Sequence, residues 1–170
     1  SLLNSFLNNE NAQLRSDVDW KEIIKISKEH NLIAIIYCVI NTAKNKEIIS
    51  KNYFSILEEH FFAYIHRYEK QKSAISDVSN IFSNAEIKHV FFKGATIKEE
   101  YPVPEVRALG DIDVLVYEKD MKKAKRALET CGYKCTANGG FVWEFEKDYI
   151  KIELHSKLII DGFQGENSDD

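Results

Sequence analysis

The sequence predicts an α+β (mixed α/β) fold: an N-terminal helical bundle followed by a small mixed β-sheet core with flanking helices. Three observations carry this. From Ser50 to Ala85 there is no Gly or Pro, and Phe54, Leu57, Phe61, Ile65, Tyr68, Ile75, Val78 and Phe82 recur at threes and fours, the period of a helix face. At Glu86 that period gives way to short runs bounded by Gly, Pro and Asn. Those runs are joined both by a helix and by a hairpin, which calls for a mixed sheet of four or five strands.

The chain of 170 residues suits one domain, or one small domain with a helical appendage. Apolar and charged fractions of 44% and 29% are those of a soluble globular protein, long enough for a proper core. The net charge of −4 argues against nucleic acid as a partner, because coating phosphates takes a basic balance. No run of ~18 apolar residues predicts a membrane span and no signal peptide opens the chain. Cys38, Cys131 and Cys135 lack a disulfide or zinc-site pattern and read as reduced thiols of a cytoplasmic protein.

The elements follow in order. Leu2, Leu3, Phe6 and Leu7 fit a short amphipathic helix within residues 1–14. Ser16-Asp17-Val18-Asp19 reads as a helix start, with a capping residue and early acids. Trp20, Ile23, Ile24, Ile26 and His30 are expected on that helix's buried face, with a break at His30-Asn31. Leu32 to Ala43 is apolar nearly throughout and reads as a buried helix, and Ser50 to Ala85 as one long helix. The domain boundaries expected are 1–85 for the helical region, 86–160 for the sheet core and 161–170 for a polar tail or truncated end.

Within the core, Lys88 to Phe92 predicts a strand that Lys93-Gly94 ends, followed by helical turns over 95–100 and an extended loop at Tyr101-Pro102-Val103-Pro104. A second strand is expected at 110–117. Lys119 to Cys131 predicts a helix with Met121, Ala124, Ala127, Leu128 and Cys131 inward, stopped by Gly132. Its basic residues Lys119, Lys122, Lys123, Lys125 and Arg126 read as a solvated outer face. Tyr133 to Thr136 is a short strand, 137–140 a turn, and 141–146 with 149–155 a hairpin turning at Lys147-Asp148.

The chemistry centres on Asp111-Ile112-Asp113. In a strand, positions i and i+2 face one side, so Asp111 and Asp113 project together while Ile112, Val114 and Val116 enter the core. Two carboxylates so close repel unless a cation lies between them, and Mg²⁺ suits one or two carboxylates plus substrate phosphates. In the last strand Ile150, Ile152 and Leu154 alternate with Lys151, Glu153 and His155, which makes Glu153 a third carboxylate on the same face. Three carboxylates can hold two divalent ions and activate an oxygen nucleophile for in-line attack on phosphorus. At Lys93-Gly94 a strand opens into a helical turn, with free N–H groups and a glycine that lets an anion approach. Arg107 has two readings, a triphosphate contact or a clamp on one Asp. His155 also has two, substrate contact or orientation of Glu153. A further reading makes the Asp pair a structural ion-pair cluster with Arg107 and Lys93.

The order Lys93-Gly94, Arg107-x-x-Gly110-Asp111-Ile112-Asp113-Val114-Leu115-Val116, helix, Gly132-Tyr133, hairpin and Ile152-Glu153-Leu154-His155 resembles the nucleotidyltransferase superfamily of DNA polymerase β type. More narrowly it resembles an uncharacterised bacterial branch with a Lys-Gly turn and a Glu-x-His third motif. The resemblance covers about 88–157. It implies transfer of a nucleoside monophosphate from an NTP to an acceptor hydroxyl, with two Mg²⁺ ions (Mn²⁺ as substitute) and release of pyrophosphate. Asp111, Asp113 and Glu153 match the catalytic and metal-binding carboxylates, and Gly94 the glycine of a Gly-Ser turn. Lys93, Gly94, Arg107 and His155 are the candidate nucleotide contacts. The Ser of that turn is Ala95 here, so one phosphate-binding hydroxyl is missing. The expected partners are an NTP and an unknown small-molecule or protein acceptor. The alternative is a catalytically inactive nucleotide-sensing or partner-binding module of the same fold.

Overall fold

The computed structural model describes residues 1–107 and 110–158, so the tail expected at 161–170 lies outside the described residues. The chain divides into two compact units, one of Ser1–Lys70 with Ile97–Leu109, the other of Gln71–Thr96 with Gly110–Asp170.

The first unit is helical. It holds α1 (Leu2–Leu7), α2 (Trp20–Glu29), α3 (Ile33–Thr42) and the first half of α4 (Lys51–Asn84). Asp19 caps α2 by accepting a hydrogen bond from the Glu22 N–H at 3.1 Å, which satisfies one of the donors a helix start leaves open. The predicted break falls at His30 and Asn31, the latter left-handed at φ 56°. α3 is buried almost throughout, as its unbroken apolar run requires. Tyr37 packs between Phe54 and Phe61, with ring centroids 5.5 and 4.6 Å away. Two expectations for α2 are corrected: Ile26 is 44% exposed and His30 is exposed. Trp20, Ile24 and Ser27 take the inner face instead. At about 100° per residue Ile26 lies about 200° round from Ile24, so one stripe cannot hold both.

The second unit is a five-stranded mixed sheet with helices on one face. It contains β1 (His89–Phe91), α5 (Gly94–Ile97), β2 (Ile112–Val116), α6 (Met121–Thr130), β3 (Lys134–Gly139), β4 (Val142–Lys147) and β5 (Ile150–His155). The sheet order is β1-β2-β5-β4-β3. Among these strands β2 and β5 run parallel, and the other neighbours are antiparallel. Ile112, Val114, Ile152, Leu154 and Phe145 form one buried face with Val78 and Phe82 of α4 and Ala124 and Leu128 of α6. The opposite face is the one that the polar alternation of β2 and β5 leaves open.

Three boundaries differ from the sequence expectation. β3 continues to Gly139, pairing as far as Gly139 with Val142, with a register shift between Cys135 and Ala137 that admits an extra residue. Cys131 is exposed at the end of α6 instead of completing its inner stripe. The hairpin turns at Asp148-Tyr149, one residue later than expected, with both in the left-handed region at φ 50° and 66°. Two positive-φ residues make the I′-type geometry whose twist matches the flanking strands.

Tyr149 is 91% exposed, so its ring contributes little packing while its backbone bears the left-handed strain. Tyr149→Gly should therefore stabilise the protein by roughly 0.5–1 kcal/mol, read by thermal or urea denaturation. An unchanged or lower stability would show that the turn is not strained.

Candidate functional site

Strand pairing assembles the site. In the parallel register Asp113 faces Glu153 and Leu115 faces His155, so these four residues share the open face of the sheet. Asp111 lies one residue before β2, and its carboxyl shares a hydrogen bond with that of Glu153. At the other flank the Phe92 N–H donates to the Asp113 carbonyl at 3.2 Å, extending the β1 pairing. Lys93 then turns left-handed, φ 50°, and its Nζ lies 2.6 Å from Asp113 Oδ1 and 4.0 Å from Glu153 Oε2. His155 Nε2 is 3.0 Å from Asp113 Oδ1 and 3.2 Å from Glu153 Oε2. The Phe92 ring meets the His155 imidazole edge-on at 5.0 Å and helps fix its orientation.

This crowding shows in the proton affinities. Burial, the hydrogen bond with Asp111 and the charges of Asp111 and Asp113 push the Glu153 carboxyl up to about 7, with Lys93 opposing. Burial and the Lys93 charge hold His155 below its ordinary value against the pull of Asp113. Its Nε2 is the nitrogen that faces both carboxylates. The hydrogen bond to Asp113 raises the Lys93 ammonium. The group thus comprises three acids, one ammonium and one imidazole.

That donor set fits a divalent cation. Asp113, Glu153 and His155 each offer a ligand atom, all within 4.8 Å of one another. The carboxylate oxygens suit a hard cation such as Mg²⁺ or Mn²⁺, and the imidazole nitrogen favours the latter.

The other expected residues fall in different places. Gly94 opens α5, a single turn in which both the N–H and the hydroxyl of Thr96 donate to the Lys93 carbonyl at 3.2 and 3.0 Å. Arg107 belongs to the first unit, where its guanidinium lies 5.8 Å from the Tyr101 ring centroid. Lys122 and Lys123 lie exposed along α6, and Lys125 pairs with Glu129 at 3.8 Å. Sequence reading misses two neighbours of the site. Phe92 reads only as the end of an apolar run. Glu144 is paired directly across from Glu153 and so shares its face. A hairpin register counted from a turn at 148–149 finds it, since 144 and 153 are equidistant from that turn.

Two expectations follow from these electrostatics. The raised Glu153 value means that its protonated form contributes stability fully below the ordinary glutamate value and loses it as pH rises through about 7. With metal removed by a chelator, Glu153→Gln should be more stable than wild type at pH 8, by on the order of 1–3 kcal/mol, and no more stable near pH 4. Thermal denaturation at the two pH values checks this. Lys93→Met removes the resident cation, so the affinity for Mn²⁺ in the absence of nucleotide should rise several-fold by calorimetry; a fall would mean that the ammonium does not compete with metal.

A family model described as "uncharacterised nucleotidyltransferase" matches residues 16–170, a span that includes both Asp residues, Lys93, Glu153 and His155. A search of the curated proteins and a search of the solved structures each found no match. With most of its length matched and an acidic cluster able to hold a metal, the chain belongs to this uncharacterised nucleotidyltransferase family.

Proposed function

We propose that the protein is a Mg²⁺-dependent enzyme that transfers a nucleoside monophosphate from an NTP to a hydroxyl of a small-molecule or protein acceptor, releasing pyrophosphate. The observation that carries this reading is the convergence of Asp113, Glu153 and His155 within ligand distance on one sheet face, in a chain of this family. Asp111, Asp113 and Glu153 would hold the two ions, which supply charge neutralisation on the phosphates and favour the ionised acceptor hydroxyl.

The chain's own residues have separable roles. Asp113 is almost fully buried, fixed by Lys93 and His155, and so holds one orientation. Glu153 stands beside Asp113 on the same face of the sheet, where a carboxylate can take the proton of an attacking hydroxyl. His155 donates to both carboxylates and acts as a positioning residue for them. Lys93 is 56% exposed in its side chain, so its long stem can leave Asp113 for the β- and γ-phosphates. The N–H groups of the turn at Gly94 are the other candidate phosphate donors. Three free cysteines suit a reducing compartment, in keeping with a cytoplasmic enzyme.

Two observations favour a second reading. Lys93 is paired with Asp113, and Ala95 leaves the phosphate turn without one hydroxyl, features that also fit a nucleotide-sensing module without turnover. Product analysis separates the two. Wild type should bind Mg²⁺ and NTP together and release pyrophosphate when an acceptor is present, and the combined Asp111→Asn and Asp113→Asn variant should lose at least about 100-fold of that rate. Nucleotide binding without pyrophosphate release across an acceptor library supports the sensor. Equal metal-dependent nucleotide binding by wild type and variant removes the site from either reading.

A further inference from the structure

We propose that the open sheet face carries an acceptor subsite beside the carboxylates, and that it takes a small hydroxyl-bearing molecule with an apolar ring or chain and an anionic group. This deepens the nucleotidyl-transfer reading and rests on it. A cavity of about 1150 Å³ opens on the second unit, around Val90 of β1, Leu115 of β2, Tyr117 and Leu158. It is larger than the roughly 300–1,000 Å³ of most ligand pockets, so a small molecule fits within it. Val90, Tyr117 and Leu158 are 60%, 58% and 64% exposed, so the apolar surface is there to be covered. The charged residues that line it are Lys88 and Lys157 against the acid Glu118, and Lys119 lies 5.6 Å from the Tyr117 ring centroid. An apolar floor under a mainly basic rim selects an amphipathic anion.

Strand register places this cavity on the attacking side of the reaction. Phe92 bonds to the backbone of Asp113, so Lys93-Gly94 lies at the Asp111 end of β2. Val90 pairs with Leu115 and His89 with Val116, so the cavity lies at the opposite end. Leu115 is two residues beyond Asp113 on the same face, about 7 Å along the strand. The carboxylates therefore stand between the phosphate turn and the cavity. In an in-line displacement the acceptor oxygen attacks phosphorus opposite the bond to the departing pyrophosphate. With pyrophosphate held at the turn, the acceptor comes from the cavity side. Its hydroxyl oxygen forms the new bond to the α-phosphorus, the bond to the pyrophosphate oxygen breaks, and the hydroxyl proton passes to Glu153.

The test uses the whole chain and para-hydroxymethylbenzoate, which joins a ring, a hydroxyl and a carboxylate, with its neutral methyl ester as control. Saturation-transfer NMR reads binding without turnover, and calorimetry reads Mg²⁺-ATP binding on the same samples. The carboxylate should bind and the ester should bind roughly tenfold more weakly, with Val90→Asp and Tyr117→Ser each weakening the carboxylate roughly tenfold and leaving Mg²⁺-ATP affinity unchanged. Both substituted residues are exposed, and circular dichroism verifies that the variants fold. If Mg²⁺-ATP binds but both variants hold the carboxylate as wild type does, the subsite alone is overturned. It is overturned equally if α-labelled ATP labels only a protein such as casein. If wild type does not bind Mg²⁺-ATP at all, the function proposed above fails and the acceptor assignment fails with it.

Discussion

The site depends on one constraint: three carboxylates are forced together by the pairing of two strands. Asp113 cannot separate from Glu153 without breaking the parallel β2–β5 register, and that register is fixed by Ile112, Val114, Ile152 and Leu154 on the buried face. A slip of one residue would exchange the two faces, burying the acids and exposing the aliphatic residues. The hydrophobic core therefore holds in place a charge arrangement that water alone would disperse. The cost appears locally, as the Glu153 carboxyl held up to about 7 and the ammonium of Lys93 drawn onto Asp113.

Lys93 and His155 reduce that cost in different ways. The ammonium supplies a full positive charge on a flexible stem at an accessible edge. The imidazole is buried and neutral and supplies directed hydrogen bonds, holding Asp113 and Glu153 at fixed angles without cancelling their charge. A cation that can withdraw and a donor that stays suit a site that must exchange its counter-ion. The structural ion-pair cluster that the sequence leaves open shares the Lys93–Asp113 pair with this site, but a sealed one would keep its outer members from solvent. Here Lys93 and Glu153 keep 56% and 28% of their side-chain surface exposed.

Much of this is legible in the sequence because it follows from local periodicity. Alternation along β2 and β5 is a property of neighbouring residues, so the core face and the acidic face separate on inspection, as do the long helix and the Gly132 stop. What fails to show depends on longer range or on unusual backbone. The hairpin turns one residue later than its sequence suggests because its left-handed turn positions carry Asp148 and Tyr149, and tyrosine gives no turn signal. Ile26 reads as a core residue because composition does not reveal which of several apolar stripes a ten-residue helix will bury. The pairing of Lys93 with Asp113 is one of the readings the sequence offers, but the left-handed turn at Lys93 that makes it is announced by no motif.

The same geometry constrains how the open face can be used. One wall of it is the cluster of Asp113, Glu153 and His155 that could hold a metal, and further along the chain it becomes aliphatic and aromatic, at Leu115 and Tyr117, with Leu158 beside them. Polar and apolar surface so close on one sheet cannot both be served by a nucleotide's triphosphate, which satisfies only the charged part. Apolar surface at the far end gains free energy only when something other than phosphate covers it. A transferase must also bring a second substrate within bonding distance of the first. Both requirements would be met by one occupant with its apolar body over Leu115 and Tyr117 and its hydroxyl toward Glu153, the acceptor proposed above.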